Sequence, residues 1–170
     1  IIISTNSGLW RYRIGDIVRF TSTNPYRIII KGRTKNCINT FGEELMVHNT
    51  DQAISSACEK TNCKIVEYTV APIFFEDTSG GHEWAIEFDK PPKEIDMFNQ
   101  ILDKKLKKIN SDYEAKRSDD LIIRKPKITI IKNGIFLNWL KTKNKLGGQN
   151  KIVRLSEKRK FIDELKQLNK

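Results

Sequence analysis

A chain of 170 residues, 38% hydrophobic and 31% charged, can bury one good core but not two ordinary ones. Its formal net charge of +10 has the sign that attracts phosphates. Yet the lysines are spread over wet helix faces, with no zinc-finger spacing, aromatic RNA-binding signature or basic tail, so nucleic acid is not expected as a partner. Cys37, Cys58 and Cys63 form no CxxC pair and His48 and His82 stand far apart, which speaks against a metal site and for a reducing compartment. No long apolar run or signal peptide is present, so a cytoplasmic protein without membrane contact is expected.

The chain opens on three isoleucines with no initiator methionine, as if cut from something longer. In LWRYRIGDIVRF (Leu9 to Phe20), Trp10, Tyr12 and Ile14 alternate with Arg11 and Arg13, and Ile17, Val18 and Phe20 resume after the break. The pattern predicts a strand hairpin whose tight turn is Gly15-Asp16. Taken alone that pair is turn chemistry, since Gly and Asp are residues that turns prefer. PYRIIIKG (Pro25 to Gly32) reads as a further strand. Thr50 to Lys60 sets Ala53, Ile54, Ala57 and Cys58 on one helical face, with Asn49 and Gln52 as a variant capping box.

Two strands follow, at Lys64 to Phe75 and Glu83 to Phe88, rich in β-branched and aromatic residues. Pro91 and Pro92 introduce a helix from about Ile95 to Asn110 with Ile95, Phe98, Ile101, Leu102, Leu106 and Ile109 inward and its lysines in water. A strand at Lys127 to Ile131, a helix at Ile135 to Lys143, the loop Leu146 to Lys151 and a helix from about Ser156 to Leu168 complete the chain. The expected fold is α+β: a central, mostly antiparallel sheet flanked by helices and preceded by a strand hairpin.

Three segments gain meaning from their order. YRIGD (Tyr12 to Asp16), KGRTKNCINTFGEEL (Lys31 to Leu45) and GGQNKIVR (Gly147 to Arg154) follow the order and rough spacing of the late signature motifs of adenylate-forming enzymes. The set resembles the auxin-responsive Gretchen Hagen family of acyl-acid amido synthetases, its bacterial members in particular. The likeness runs over nearly the whole chain and includes NSDYEAKR (Asn110 to Arg117) and NGIF (Asn133 to Phe136). In that family a carboxylic acid attacks the α-phosphate of ATP, pyrophosphate leaves, and an amine such as an amino acid displaces AMP to give an amide.

The resemblance therefore implies an ATP-dependent acid–amino acid ligase whose partners are ATP, a carboxylic acid and an amine. Mg2+ would be held mainly by the phosphates and a larger ATP-binding domain. It further implies that residues 1–34 are the terminal strands of that larger domain, that residues 35–170 are the small carboxy-terminal domain, and that this portion alone is inactive.

Each implied role has a physical basis. Asp16 would take the ribose diol, since two acceptor oxygens can receive both hydroxyl protons; Gly15 lets the backbone approach the nucleotide, and Tyr12 belongs to the same motif. Arg33 resembles the family's arginine beside ribose and phosphates, where a fixed fork of donors suits an anion. Lys35 matches the hinge about which the small domain swings between adenylation and acyl transfer. Gly42 matches a glycine brought to the active site in the second conformation.

Lys151 is the implied catalytic residue, an ammonium that neutralises charge developing on the α-phosphoryl oxygens. The family pattern resembles Gln-x-Lys-Val-Pro-Arg, and here Val153 replaces the proline, which bears on the loop's rigidity. Glu43 and Glu44 stand where plant members carry a basic residue, so no phosphate contact is assigned to TFGEEL. An acyl-CoA ligase shares the adenylation step and hinge, but Gln149 to Arg154 favours the amide-forming branch. The alternative from another class is a stand-alone basic domain that binds nucleic acid or a protein partner.

Overall fold

The computed structural model describes residues 1–33, 37–76, 79–120, 122–144 and 151–170. The first third is a pair of two-stranded ladders. Ile2–Ile3 (β1) pairs antiparallel with Tyr12–Arg13 (β2), and Asp16–Thr23 (β3) pairs antiparallel with Tyr26–Arg33 (β4). The hairpin expected at Gly15-Asp16 is therefore not formed. β2 pairs back to the first residues, β3 pairs forward, and the hairpin turn falls at Asn24-Pro25. The reason is ladder length: β4 offers β3 an eight-residue partner, more than the short run before Gly15 can supply. Gly15, at φ +84°, is the bend between ladders, a conformation that side chains with a Cβ resist.

The remaining chain forms one body. Cys37–Ile38 (β5) pairs with Leu45–Met46 (β6), which leads directly into Val47–Thr61 (α1). Lys64–Phe74 (β7), Gly80–Lys90 (β8) and Lys127–Ile131 (β9) make a three-stranded sheet in that order, β7 antiparallel and β9 parallel to β8. A parallel neighbour needs a crossover, and Ile95–Ile109 (α2) with Ser111–Lys116 (α3) lies within it. Ile135–Thr142 (α4) and Lys160–Leu168 (α5) complete the order. The α+β expectation, mostly antiparallel, holds.

β8 is buried from Gly80 to Phe88, and its two-residue period divides it between two cores. Trp84, Ile86 and Phe88 meet Ala53, Ile54 and Ala57 of α1 and Phe98, Leu102 and Leu106 of α2. Ala85 on the other face meets Phe136 of α4 and Phe161, Ile162 and Leu165 of α5. In α2 the spacing of four brings Phe98, Leu102 and Leu106 onto one stripe. α1 begins at Val47, three residues before the expected start. Asn49 is its third helical residue, and its Oδ1 accepts the Met46 N–H at 3.0 Å, the return half of a capping box.

Buried carboxylates tie helices to this frame. Glu83, fully buried on β8, accepts from Arg159 at 2.6 Å, Lys166 at 2.9 Å and Thr129 at 2.8 Å, anchoring α5. Glu87 accepts the N–H groups of Gly134 at 2.8 Å and Phe136 at 3.2 Å, so a carboxylate satisfies the open amides at the start of α4. Asp103 of α2 takes a two-point contact from Arg117, at 2.9 and 2.8 Å, and the Tyr113 hydroxyl at 2.8 Å. Asn110 caps α3 by accepting the Tyr113 N–H at 2.9 Å. The NSDYEAKR segment is thus a structural knot.

Candidate functional site

Two of the sequence motifs meet on the β3–β4 hairpin. Asp16 and Arg33, distant in the chain, are cross-strand partners at its open end. Asp16 is half-buried and Tyr12 is exposed. The adjoining Gly32 approaches the Met46 sulfur, at 3.8 Å from a notional Cβ, and β4 contacts α1. The open end of the hairpin therefore faces the junction of β6 and α1. Lys35, expected as the hinge, lies outside the described residues, as does 145–150 with Gly147 and Gln149.

The loop carrying Gly42 is held from several sides. Gly42 is at φ +82°, which again suits glycine. The Asn39 carboxamide oxygen accepts the Glu44 N–H at 3.0 Å, and the Glu43 carboxylate accepts the Phe41 N–H at 2.7 Å. Glu43 is fully buried, and its other oxygen lies 2.8 Å from His82 Nε2, while its carbonyl accepts from Asn110 at 2.8 Å. His82 in turn stacks on Tyr113. Phe41 seats its ring over Gly80: a Cβ there would fall 2.1 Å from Phe41 Cζ. Sequence reasoning read Glu43 only as a missing basic residue. Its role as the pin of the loop depends on His82, on a distant strand, and no local pattern announces that.

Lys151 is exposed and stands just before a stretch that is fastened to the sheet. Thr69 donates to the Val153 carbonyl at 2.7 Å, the Val70 N–H donates to the Arg154 carbonyl at 2.8 Å, and the Ser156 N–H donates to the Val70 carbonyl at 3.1 Å. Residues 153–156 thus run along β7 as a short parallel addition, bridging Val70 and Leu155. The rigidity that a proline would lend is supplied here by backbone pairing. Arg154 fixes the register: its guanidinium reaches Asp51 at 2.9 Å and Glu67 at 3.2 Å and lies over the Tyr68 ring. Burial first, then the bonded Asp51 carboxylate, raises the Tyr68 phenol far above its ordinary value, so it stays a neutral donor.

These segments converge. The Asn39 N–H donates to Glu157 at 3.3 Å, joining the Gly42 loop to the stretch after Lys151, and Asp51 joins that stretch to α1. Beyond it, a groove of about 280 Å³ is lined by Trp139, Lys143, Val153, Lys158, Phe161 and Glu164. Lys143 and the Trp139 indole both bond Glu164, at 3.1 and 2.7 Å, which holds the Glu164 carboxyl below its usual range, the Trp139 bond contributing most. Among the described residues no cluster of three metal-binding side chains occurs, and no helix is long and apolar enough to cross a membrane.

Asp16 and Arg33 pair across a hairpin, the buried Glu43 pins the Gly42 loop, and Lys151 stands ahead of the stretch that Arg154 anchors. Residues 48–160 match the GH3 family C-terminal domain and residues 1–33 match the GH3 family central domain. The chain belongs to the GH3 (Gretchen Hagen) family. No curated protein matches the sequence. Among solved structures, the GH3.15 acyl acid amido synthetase is similar over 99% of this chain at 21% identity with a TM-score of 0.74. The AtGH3.15 acyl acid amido synthetase in complex with 2,4-DB is similar over 98% at 20% identity with a TM-score of 0.72. The likeness is one of fold. The chain spans about a third of those proteins, 33% and 32% of their lengths.

Proposed function

We propose that this chain is the carboxy-terminal region of an ATP-dependent acyl-acid amido synthetase that adenylates a carboxylic acid and passes the acyl group to an amine such as an amino acid. The observation that carries the reading is the cross-strand pairing of Asp16 with Arg33. Two motifs that a nucleotide would need together are brought together by the hairpin. A half-buried carboxylate and an exposed phenol supply acceptors and a surface for ribose, and the arginine position supplies a cation for phosphates, so the donor set fits ATP. ATP would supply the adenylyl group that activates the acid, with pyrophosphate as the leaving group, and Mg2+ would be held by its phosphates and by groups elsewhere in the protein.

Lys151 is the residue proposed to balance charge on the α-phosphoryl oxygens, Lys35 the hinge, and Gly42 the loop presented for acyl transfer. The fastening of residues 153–156 to β7 supports this division, since a lysine that must meet a phosphate needs a fixed base and a free end. Residues 1–34 are proposed to belong with the family's central domain. The apolar side chains they expose, Trp10 at 81% and Ile30 at 69% among them, fit packing against the rest of it. Three cysteines with no CxxC pairing and consumption of ATP support a cytoplasmic setting.

Asp16→Ala in the full-length protein tests the reading. Loss of a charged acceptor costs about 1.5–3 kcal/mol, roughly ten- to a hundredfold, and should appear as a raised KM for ATP with the circular dichroism spectrum unchanged. An unchanged KM for ATP would remove the nucleotide assignment of the hairpin.

A further inference from the structure

α1 ends in a left-handed cap. Asn62 follows the helix at φ 51° and ψ 40°, and its N–H returns to the Cys58 carbonyl. The Cys63 N–H donates to that same carbonyl at 3.1 Å. The second bond is the long bond of a Schellman turn, the motif in which the side chains at its two ends meet. Here both are cysteines. Cys63 is buried and Cys58 half-buried, and both pack into the core beneath α1. Two thiols can fill this place as small apolar groups; unlike a leucine pair, they can also be joined. A turn closed by that bond brings its terminal α-carbons into the range a disulfide requires, about 4.4–6.8 Å.

We propose that Cys58 and Cys63 form a modification site, a dithiol that closes to an intramolecular disulfide across the α1 C-terminal turn when it meets a peroxide. Cys58, the more accessible, attacks one peroxide oxygen and becomes a sulfenic acid while hydroxide leaves. The Cys63 sulfur then displaces the sulfenic hydroxyl, which departs as water with the Cys63 proton, while the proton given up by Cys58 neutralises the hydroxide of the first step. In sum two thiols and one hydrogen peroxide give one disulfide and two waters, sulfur being oxidised and oxygen reduced.

Proximity, not acidity, favours the second step, closure onto Cys63. Burial, and then the Cys63 thiol, push the Cys58 thiol up to about 12. Thiolate is therefore scarce at neutral pH, and closure should accelerate about tenfold for each unit of pH below that value. Once formed, the link would stiffen the end of α1 that feeds β7, the helix whose first turns carry the Asp51 anchor of Arg154.

The test exposes the folded full-length protein to hydrogen peroxide at neutral and at raised pH, alkylates the remaining thiols with N-ethylmaleimide after denaturation, and digests with trypsin, which cuts after Lys60 and Lys64. The expected product is the peptide ending at Lys60, with fragmentation placing N-ethylmaleimide on its Cys37 and the link on Cys58, joined to Thr61–Lys64, from monomeric protein, in a yield that climbs steeply with pH and is abolished by dithiothreitol. In Cys63→Ser the link should be replaced by a sulfenic acid at Cys58 that dimedone traps. Recovery of Cys58 and Cys63 both alkylated while Cys37 reacts, a link between two chains, or a Cys58 that dimedone never labels in Cys63→Ser would each overturn the proposal.

Discussion

Trp10 and Trp84 sit in the two halves of this molecule and mark their difference. Trp10, ahead of Gly15, is 81% exposed, whereas Trp84, on β8, is fully buried between α1 and α2. The first ladders present Phe20, Tyr26, Ile28 and Ile30 to solvent, and the sheet body buries not only its apolar groups but also Glu43, Glu83, Glu87 and Asp103. The comparison teaches where stability and function divide. The body is self-supporting because every one of those carboxylates has donors; the hairpin carries the proposed nucleotide motif on a surface suited to a further partner.

Truncating each tryptophan tests the division at its widest. Trp84→Ala should lower the stability of the sheet body by about 3–5 kcal/mol through lost burial and cavity formation, read from the denaturant midpoint. Trp10→Ala should move the same transition by less than about 0.5 kcal/mol. Comparable losses would mean that the first ladders are integral to the core.

Acid sharpens the comparison next. Burial raises the Glu83 carboxyl, but donors on Lys166, Arg159 and Thr129 outweigh it and bring the value to about 2. A folded value below the unfolded one means that this stabilisation is complete above the unfolded range, near about 4.3, and is lost as pH falls through about 2. It amounts to about 2–3 kcal/mol. Urea titrations across that window should show the sheet body losing stability steeply, and Glu83→Gln should flatten the dependence. An equal slope in the variant would contradict the assignment.

A smaller effect is expected at Gly80, where the body touches the Gly42 loop. In Gly80→Ala the added methyl meets the Phe41 ring, so Phe41 must leave its seat against Phe74 and His82. Overpacking of this kind costs about 1–2 kcal/mol. Because Phe41 precedes Gly42, hydrogen exchange at the Phe41 and Glu44 amides should rise while that of α2 stays unchanged. Protection unaltered in the loop would show that Phe41 does not position it.

Legibility in the sequence followed the range of the cause. α2 begins at Ile95 and β9 spans Lys127–Ile131 as their apolar patterns require, because each period is local. The turn at Gly15-Asp16 was misread: the alternation around Tyr12 is that of a strand, but its partner is Ile2–Ile3, and nothing nearby says so. α3 was hidden by its brevity, six residues, and by a motif that looked functional. The order of the three motifs made the family legible, and register made Asp16 and Arg33 neighbours. The pins were not legible, since Glu83 depends on Arg159 and Lys166, and Arg154 on Asp51 and Glu67, partners that only the folded chain assembles.

The central claim, that the exposed lysine ahead of the Arg154-anchored stretch serves adenylation, is tested most directly by Lys151→Ala in the full-length protein with the two half-reactions assayed apart. Removing a charge aimed at the transition state should cost about 3 kcal/mol, a hundredfold or more in ATP–pyrophosphate exchange, while amide formation from a supplied acyl-adenylate changes little. Equal loss of both half-reactions with the fold intact, or no loss of exchange, would contradict the account.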